Sequence, residues 1–284
     1  MLDSPAPFQA LTIDSAPLQF TAIECGAGPL ALFYHGITAN AHVFEPLMHA
    51  LADKFRCVAI DQRGHGGSSK PATGYDADNF ADDIGAAIIA LHAGPALLVG
   101  HSLGARNALA AAVKFPERVA AVVAIDFTSF IELEVFDALD ARVAGGDQRF
   151  PSFDSLCDYL QSRYVKLPWD AVTRRALHGF VGEGMTMRPL AEPAAMLATS
   201  RGLRDDLSAI VQQVSVPLMF IRGAQSKLVS PRAWAKTKAL RPDCLAVELA
   251  DADHYVPEEV PAAVAAEILQ FWVAIESPES KRRT

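Results

Sequence analysis

The apolar positions of this chain alternate between two patterns. Short, largely apolar runs at Leu30–Tyr34, Arg56–Ile60, 96–99, Val119–Ile125 and 217–222 have the length and aliphatic content of strands buried on both faces. Between and after them, 41–53, 76–92, 105–113 and Pro231–Leu240 read as helices. The helix at 76–92 opens with an Asp-rich turn suited to the positive end of a helix dipole. Two further β segments, 8–13 and 18–25, flank the turn-rich Asp14-Ser15-Ala16-Pro17 and suggest an antiparallel start. A last strand at Leu245–Leu249 and a helix at about 258–275 close the pattern, and the polar tail 276–284 is expected to fray.

The repeated strand–helix alternation predicts an α/β fold, a mostly parallel sheet covered by helices on both faces. The rhythm fails at about Ser129. Residues 129–208 hold no convincing strand, but several helix-like pieces and many Arg and Asp residues. They are expected to form an inserted helical cap, leaving 1–128 and 209–284 as one core domain. The chain's 284 residues suffice for a large α/β domain with such a lid.

Net charge is −8, which argues against nucleic acid or an anionic membrane as the main partner. It does not exclude a small anion, because a local cluster can oppose the global sign. Cys25, Cys57, Cys157 and Cys244 are scattered without CxxC spacing, as buried thiols of a reducing compartment would be. Residues Met1-Leu2-Asp3-Ser4-Pro5 show no signal-peptide pattern, and no apolar run is long enough to span a bilayer. The expected location is the cytoplasm. A homo-oligomer is compatible with the sequence, which sets no oligomeric state.

Chemistry concentrates first in Val99-Gly100-His101-Ser102-Leu103-Gly104, which joins a strand run to an alanine-rich helical run. This is the setting in which Gly-x-Ser-x-Gly lifts a serine above the carboxyl edge of a sheet. The five-residue pattern alone is common by chance; its context makes Ser102 the candidate nucleophile. A serine hydroxyl needs a base within reach and a third group to orient that base. Of the eight histidines, His35 and His65 sit in glycine-flanked loops, and His101 is inside the turn. His42, His49 and His92 lie on predicted helices, and His178 lies in the cap. His254, in Asp251-Ala252-Asp253-His254-Tyr255 just past the last strand, opens on the same sheet edge as Ser102 and is the best base.

His35-Gly36, the Asp61-Gln62-Arg63-Gly64-His65-Gly66 loop, the Gly100–Gly104 turn and His254 stand in the order of the α/β-hydrolase family. Over about 30–275 the chain resembles a cap-bearing member. The resemblance implies the α/β-hydrolase fold and an oxyanion hole made by the backbone N–H groups of Ile37 and Leu103. The family usually places its acid after the strand that follows the cap, but here that loop, Arg222-Gly223-Ala224-Gln225-Ser226-Lys227, holds no carboxylate. Some members carry it after the strand that follows the elbow helix, where Asp126 ends an apolar run. A carboxylate there is costly unless partnered. Asp126 is therefore preferred as the orienting acid. Asp251 and Asp253 lie too close to His254 along the chain, and Asp243 lies at the wrong sheet edge. Gly64-His65-Gly66-Gly67 lacks both the P-loop Lys-Ser/Thr and dinucleotide-fingerprint spacing, and no HExxH-like spacing occurs. No cofactor and no metal are expected.

The cap holds eight of the 17 arginines and one of the eight lysines. Solvated helix faces paired with nearby carboxylates are the ordinary explanation. Arg142, Arg163, Tyr164 and, beside His254, Tyr255 are the candidates for binding a small anionic substrate, since guanidinium groups match carboxylates. The strand-end acid and the arginine-bearing cap resemble hydrolases of vitamin B6 degradation that cleave the amide C–N bond of an enamide dicarboxylate. Such a reaction releases acetate, ammonia, carbon dioxide and succinate semialdehyde. A carboxylesterase, an enol-lactonase or a carbon–carbon bond hydrolase on the same fold is the rival reading. A ligand sensor on a hydrolase scaffold is the rival of another class. Ser102 argues against a haloalkane dehalogenase, whose elbow nucleophile is a carboxylate.

Overall fold

The computed structural model describes residues 7–277. Residues 1–5, which show no signal-peptide pattern in sequence, and the tail from 278 onward lie outside the described residues. Strands β1 (Gln9–Ser15), β2 (Leu18–Cys25), β3 (Leu30–Tyr34), β4 (Arg56–Ile60), β5 (Ala96–His101) and β6 (Val119–Ile125) precede the cap. The cap contributes β7 (Phe180–Glu183) and β8 (Thr186–Pro189), and β9 (Leu218–Gly223) and β10 (Leu245–Leu249) follow it. Eight of these form one sheet in the order β1-β2-β4-β3-β5-β6-β9-β10. β1 and β2 pair antiparallel, as does β2 with β4; every pairing from β4 to β10 is parallel.

Central strands β3, β5 and β9 are buried at every residue, which is why they read as unbroken apolar runs. Their side chains still alternate between faces. Leu32, Tyr34 and Leu98 enter the layer under α2 (Ala77–Ala90) and α3 (Leu103–Lys114). Ala31, Phe33 and Val99 enter the layer under α1 (Glu45–Leu51) and the last long helix, Pro261–Glu276. Asp76 caps α2 by accepting the Asn79 N–H at 3.0 Å, so one acidic residue of that turn serves backbone donors.

The cap departs from the all-helical expectation. It contains α4 (Leu133–Ala144), α5 (Phe153–Arg163), α6 (Trp169–Gly179) and α7 (Pro193–Gly202), but also the β7–β8 hairpin. Gly184, at φ +60°, makes the turn, and Phe150 extends the pairing to Met187. Each strand is four residues long, too short for a strand-like alternation to stand out.

After the cap come α8 (Ser208–Gln213), α9 (Pro231–Leu240), α10 (Val256–Glu259) and α11 (Pro261–Glu276). The single closing helix expected at 258–275 is thus two, broken before Pro261, whose ring cannot continue a preceding helix. The segment expected as one helix over 41–53 likewise begins as a 3-10 turn, Ala41–Phe44, ahead of α1 with Pro46 in its first turn. Cys25, Cys57 and Cys157 are buried free thiols, and Cys244 is half-buried. Among the described residues no helix is long and apolar enough to cross a membrane.

Candidate active site

The carboxyl ends of β3, β5, β6, β9 and β10 deliver the loops that build the site. β5 runs into Ser102, held at φ 53°, ψ −113°, and α3 starts at the next residue. This backbone is strained for a side-chain-bearing residue, and such strain is typical of functional turns. Two glycines permit it. A Cβ on Gly104 would stand 1.8 Å from the Tyr34 carbonyl oxygen, and one on Gly100 would stand 2.4 Å from the Gly104 carbonyl oxygen. The Ser102 N–H donates to the Ile125 carbonyl at 2.9 Å, which locks the turn to β6.

β6 ends in Asp126, also at positive φ (44°) and fully buried. Its carboxylate is partnered on both oxygens. Oδ1 accepts the Gly223 N–H at 3.0 Å, and Oδ2 accepts the Ser226 hydroxyl at 2.6 Å and faces His254 Nδ1 at 2.7 Å. Burial holds Asp126 above the usual carboxylate range, while the Ser226 and Gly223 donors pull it back down. The loop after β9, which carries no acid, thus supplies the donors that hold the acid of the neighbouring strand.

His254 follows β10, and its carbonyl accepts the His101 Nε2–H at 2.7 Å. Burial holds the His254 imidazole well below its ordinary value, reinforced by the positive charges of Arg142 and Arg175. A neutral ring whose Nδ1–H points to Asp126 leaves Nε2 as a free acceptor. Ser102 and His254 line one small pocket with Ile37 and His101. Leu103, the first residue of α3, has no intrahelical acceptor for its N–H, by the geometry of any helix start.

The other loop histidines are committed elsewhere. His35 is buried, donates Nδ1–H to the Gly36 carbonyl at 2.8 Å and accepts the Gln62 N–H at 3.1 Å on Nε2. His65 accepts the Thr38 N–H at 3.2 Å on Nε2. Both shape the loop that carries Ile37.

The cap lines a cleft that shares Thr38, Arg142 and Tyr164 with the small pocket of Ser102. Arg142 of α4 donates to the Tyr255 hydroxyl at 2.9 Å, and Arg163 of α5 donates to the Tyr159 hydroxyl at 2.6 Å. Both arginines line the cleft with Tyr164, and the Nε–H of each is buried without a partner. Among the described residues neither forms an ion pair with a carboxylate, whereas Arg149, Arg174, Arg188 and Arg204 of the cap do. Tyr164 is buried edge-on against Tyr255, with ring centroids 4.8 Å apart. Burial raises the Tyr164 phenol, but Arg175, Arg142 and Arg163 together bring it below its ordinary value. The cleft therefore carries the guanidinium charges of Arg142 and Arg163 in a protein that is negative overall.

A family model for the alpha/beta hydrolase fold matches residues 29–261. The chain belongs to the α/β-hydrolase family. The 2-(acetamidomethylene)succinate hydrolase of Mesorhizobium japonicum is 49% identical over 264 residues, which cover 93% of this chain and 95% of that one. A crystal structure of E-2-(acetamidomethylene)succinate hydrolase superposes with a TM-score of 0.91 at 49% identity, covering 93% of this chain and 99% of that one. A pimeloyl-[acyl-carrier protein] methyl ester esterase of Stenotrophomonas maltophilia is 30% identical, covering 89% of this chain and 96% of that one.

Two residues of this α/β-hydrolase site were not singled out from the sequence. Arg175 lies on α6 and is buried, with its guanidinium 4.6 Å from the Tyr164 ring centroid and 5.0 Å from that of Tyr255. It donates from Nε and Nη2 to the buried Glu258 of α10, so this cation is neutralised within the protein. Its signal was available. Arg175 shares the buried face of α6 with Ala171, Val172 and Ala176, and an arginine on an apolar face needs a partner. Ser226 had a weaker signal, a hydroxyl in the loop where the family's carboxylate was missing.

Proposed function

We propose that this chain hydrolyses (E)-2-(acetamidomethylene)succinate, an enamide carrying two carboxylates, through Ser102, His254 and Asp126. The observation that carries the reading is the pair of half-buried cap arginines, Arg142 and Arg163, that lack carboxylate partners and line one cleft, Arg142 also lining the smaller pockets that contain Ser102. The Mesorhizobium japonicum relative and the solved structure, each 49% identical to this chain, bear the name of that activity. Arg142 and Arg163 hold the two carboxylates, and Tyr164 and Tyr255 wall the bound chain. An ordinary neutral-ester hydrolase would have no use for two arginines without carboxylate partners here.

In the proposed mechanism His254 Nε2 takes the hydroxyl proton as Ser102 Oγ attacks the acetyl carbonyl. The carbonyl oxygen becomes an oxyanion held by the Ile37 and Leu103 N–H groups. The C–N bond then breaks, and His254 returns the proton to the departing enamine nitrogen. Water, deprotonated by His254, releases acetate from the acetyl-serine. Asp126 holds the imidazole in register and stabilises the transient imidazolium. The freed enamine tautomerises to an imine, and a second water releases ammonia. The resulting aldehyde carries a carboxylate β to its carbonyl, so it loses carbon dioxide to give succinate semialdehyde. Small diacids and carboxylate-bearing esters are the substrates this cleft favours.

The deciding assay measures turnover of the enamide diacid beside neutral p-nitrophenyl esters. Acetate and succinate semialdehyde formed together, and lost in Ser102→Ala, are the expected result. Fast turnover of neutral esters with none of the diacid would overturn the substrate.

A further inference from the structure

We propose that His42, Glu45 and His178 form a binding site for a divalent transition-metal ion that ties the cap to the core beside the substrate cleft. The proposal goes beyond the hydrolytic reading and does not depend on it. His42 lies in the 3-10 turn before α1, Glu45 is the first residue of α1, and His178 lies near the end of α6. Two ligands thus come from the core and one from the cap. The two core ligands are three residues apart, but His178 is far away in sequence, so no local motif announced the cluster.

The candidate ligand atoms of all three residues lie within 4.8 Å of one another. A tetrahedral ion with ligands at its usual distance needs them about 3.3 Å apart. Side-chain rotation can supply that difference, because all three residues are half-buried and none is locked in the core. His42 Nδ1 and Glu45 Oε1 already share a proton at 2.6 Å, and a metal ion would replace that proton. The His42 and His178 rings stack with centroids 3.5 Å apart and planes 8° apart. Binding requires the His178 ring to turn out of the stack, bringing its in-plane lone pair toward that of His42. Two imidazoles and one carboxylate suit zinc, nickel or cobalt; calcium and magnesium prefer an all-oxygen shell. The neighbouring cation, Arg174, is partly offset by Asp170 at 3.6 Å.

Position makes the site consequential. Asn40, whose side chain accepts the His42 N–H at 3.0 Å, and Gly179, which follows His178, both line the cleft. An ion bound to His42 and His178 would hold these two walls together. It would also hold α6, which carries Arg175.

The test titrates chelator-stripped full-length protein with zinc chloride by calorimetry. The wild type is expected to bind one zinc ion in the micromolar range. His42→Ala and His178→Ala should each weaken binding by more than about tenfold, since loss of even a ligand's outer-shell partner typically costs that much, and His92→Ala should leave it unchanged. Absence of zinc binding, or binding that survives His178→Ala, overturns the site. Saturating zinc should also lower kcat/KM of the wild type but not of His178→Ala. Equal effects on both would overturn the link to the cleft.

Discussion

The Ser226 hydroxyl donates to Asp126 Oδ2 at 2.6 Å, and that same oxygen faces His254 Nδ1 at 2.7 Å. One carboxylate oxygen is thus fixed by a hydroxyl from one loop and faces the imidazole of another. Ser226 also accepts the Val229 N–H at 3.2 Å, so its own orientation is set by the backbone. A donor to a buried carboxylate favours the ionised form. In Ser226→Ala the carboxyl therefore holds its proton to higher pH. The acid limb of kcat should move up in pH, and kcat at its plateau should fall about tenfold or more, the scale of a lost charge-assisted hydrogen bond. A pH–rate profile that matches the wild type would mean Ser226 is only packing.

If Asp126 orients His254, Asp126→Asn should lower kcat by about ten-thousandfold, the scale of losing the orienting acid in a triad. The fold should survive, because the amide can still accept from Gly223 or Ser226. His254→Ala and Ser102→Ala should fall by comparable orders, and double variants should fall little further. Single-turnover measurements separate this loss from weaker binding. A nearly active Asp126→Asn would move the acid elsewhere.

Much of this site was legible from residues alone, for identifiable reasons. Ser102 is announced by a five-residue turn whose strand and helix lie beside it in sequence, and His254 by its place after the last strand. Asp126 could be reached only by elimination, yet the unbroken burial from Ala121 to that residue is what makes its partners obligatory. Arg175 and Ser226 carried signals in their own segments, but their partners, Glu258 and Asp126, lie 83 and 100 residues away and could not be named from sequence. The eight cap arginines looked alike in sequence. Only the fold separates Arg142 and Arg163, half-buried and without carboxylates, from those paired at the surface. The cap hairpin escaped for a local reason, since its two strands span four residues each.

Arg142 and Arg163 should part company kinetically. Arg163→Ala should raise KM for the diacid by roughly tenfold to a hundredfold with kcat little changed, as expected for a lost charge-assisted contact. Arg142→Ala should raise KM similarly and also move the acid limb. Burial is the larger cause of His254's low proton affinity, and the Arg142 charge is next. Removing that cation makes a proton on the Asp126–His254 pair easier to add. The proposed mechanism needs the imidazole free to accept a proton, so the limb must shift to higher pH. A shift in the opposite direction, or an equal shift in Arg163→Ala, would contradict the assignment.

The Arg175–Glu258 pair links α6 of the cap to α10 of the core with both partners almost wholly buried, their side chains 7% and 2% exposed. Two charges taken out of water this far repay their desolvation only while they face each other. Glu258→Ala leaves the Arg175 guanidinium against the Tyr164 and Tyr255 rings with no anion. Breaking one side of such a pair typically costs about 3–5 kcal/mol. Urea unfolding of Glu258→Ala should show that loss as a lower midpoint with an unchanged slope. The freed Arg175 also stands in the same small pocket as Ser102 and His254, where its full charge would attract a substrate carboxylate. Glu258→Gln, which retains the side-chain volume and one acceptor, should therefore lower the stability less while lowering KM for the diacid. An unchanged unfolding midpoint in Glu258→Ala would show that the cap is held to the core by its apolar contacts rather than by this pair.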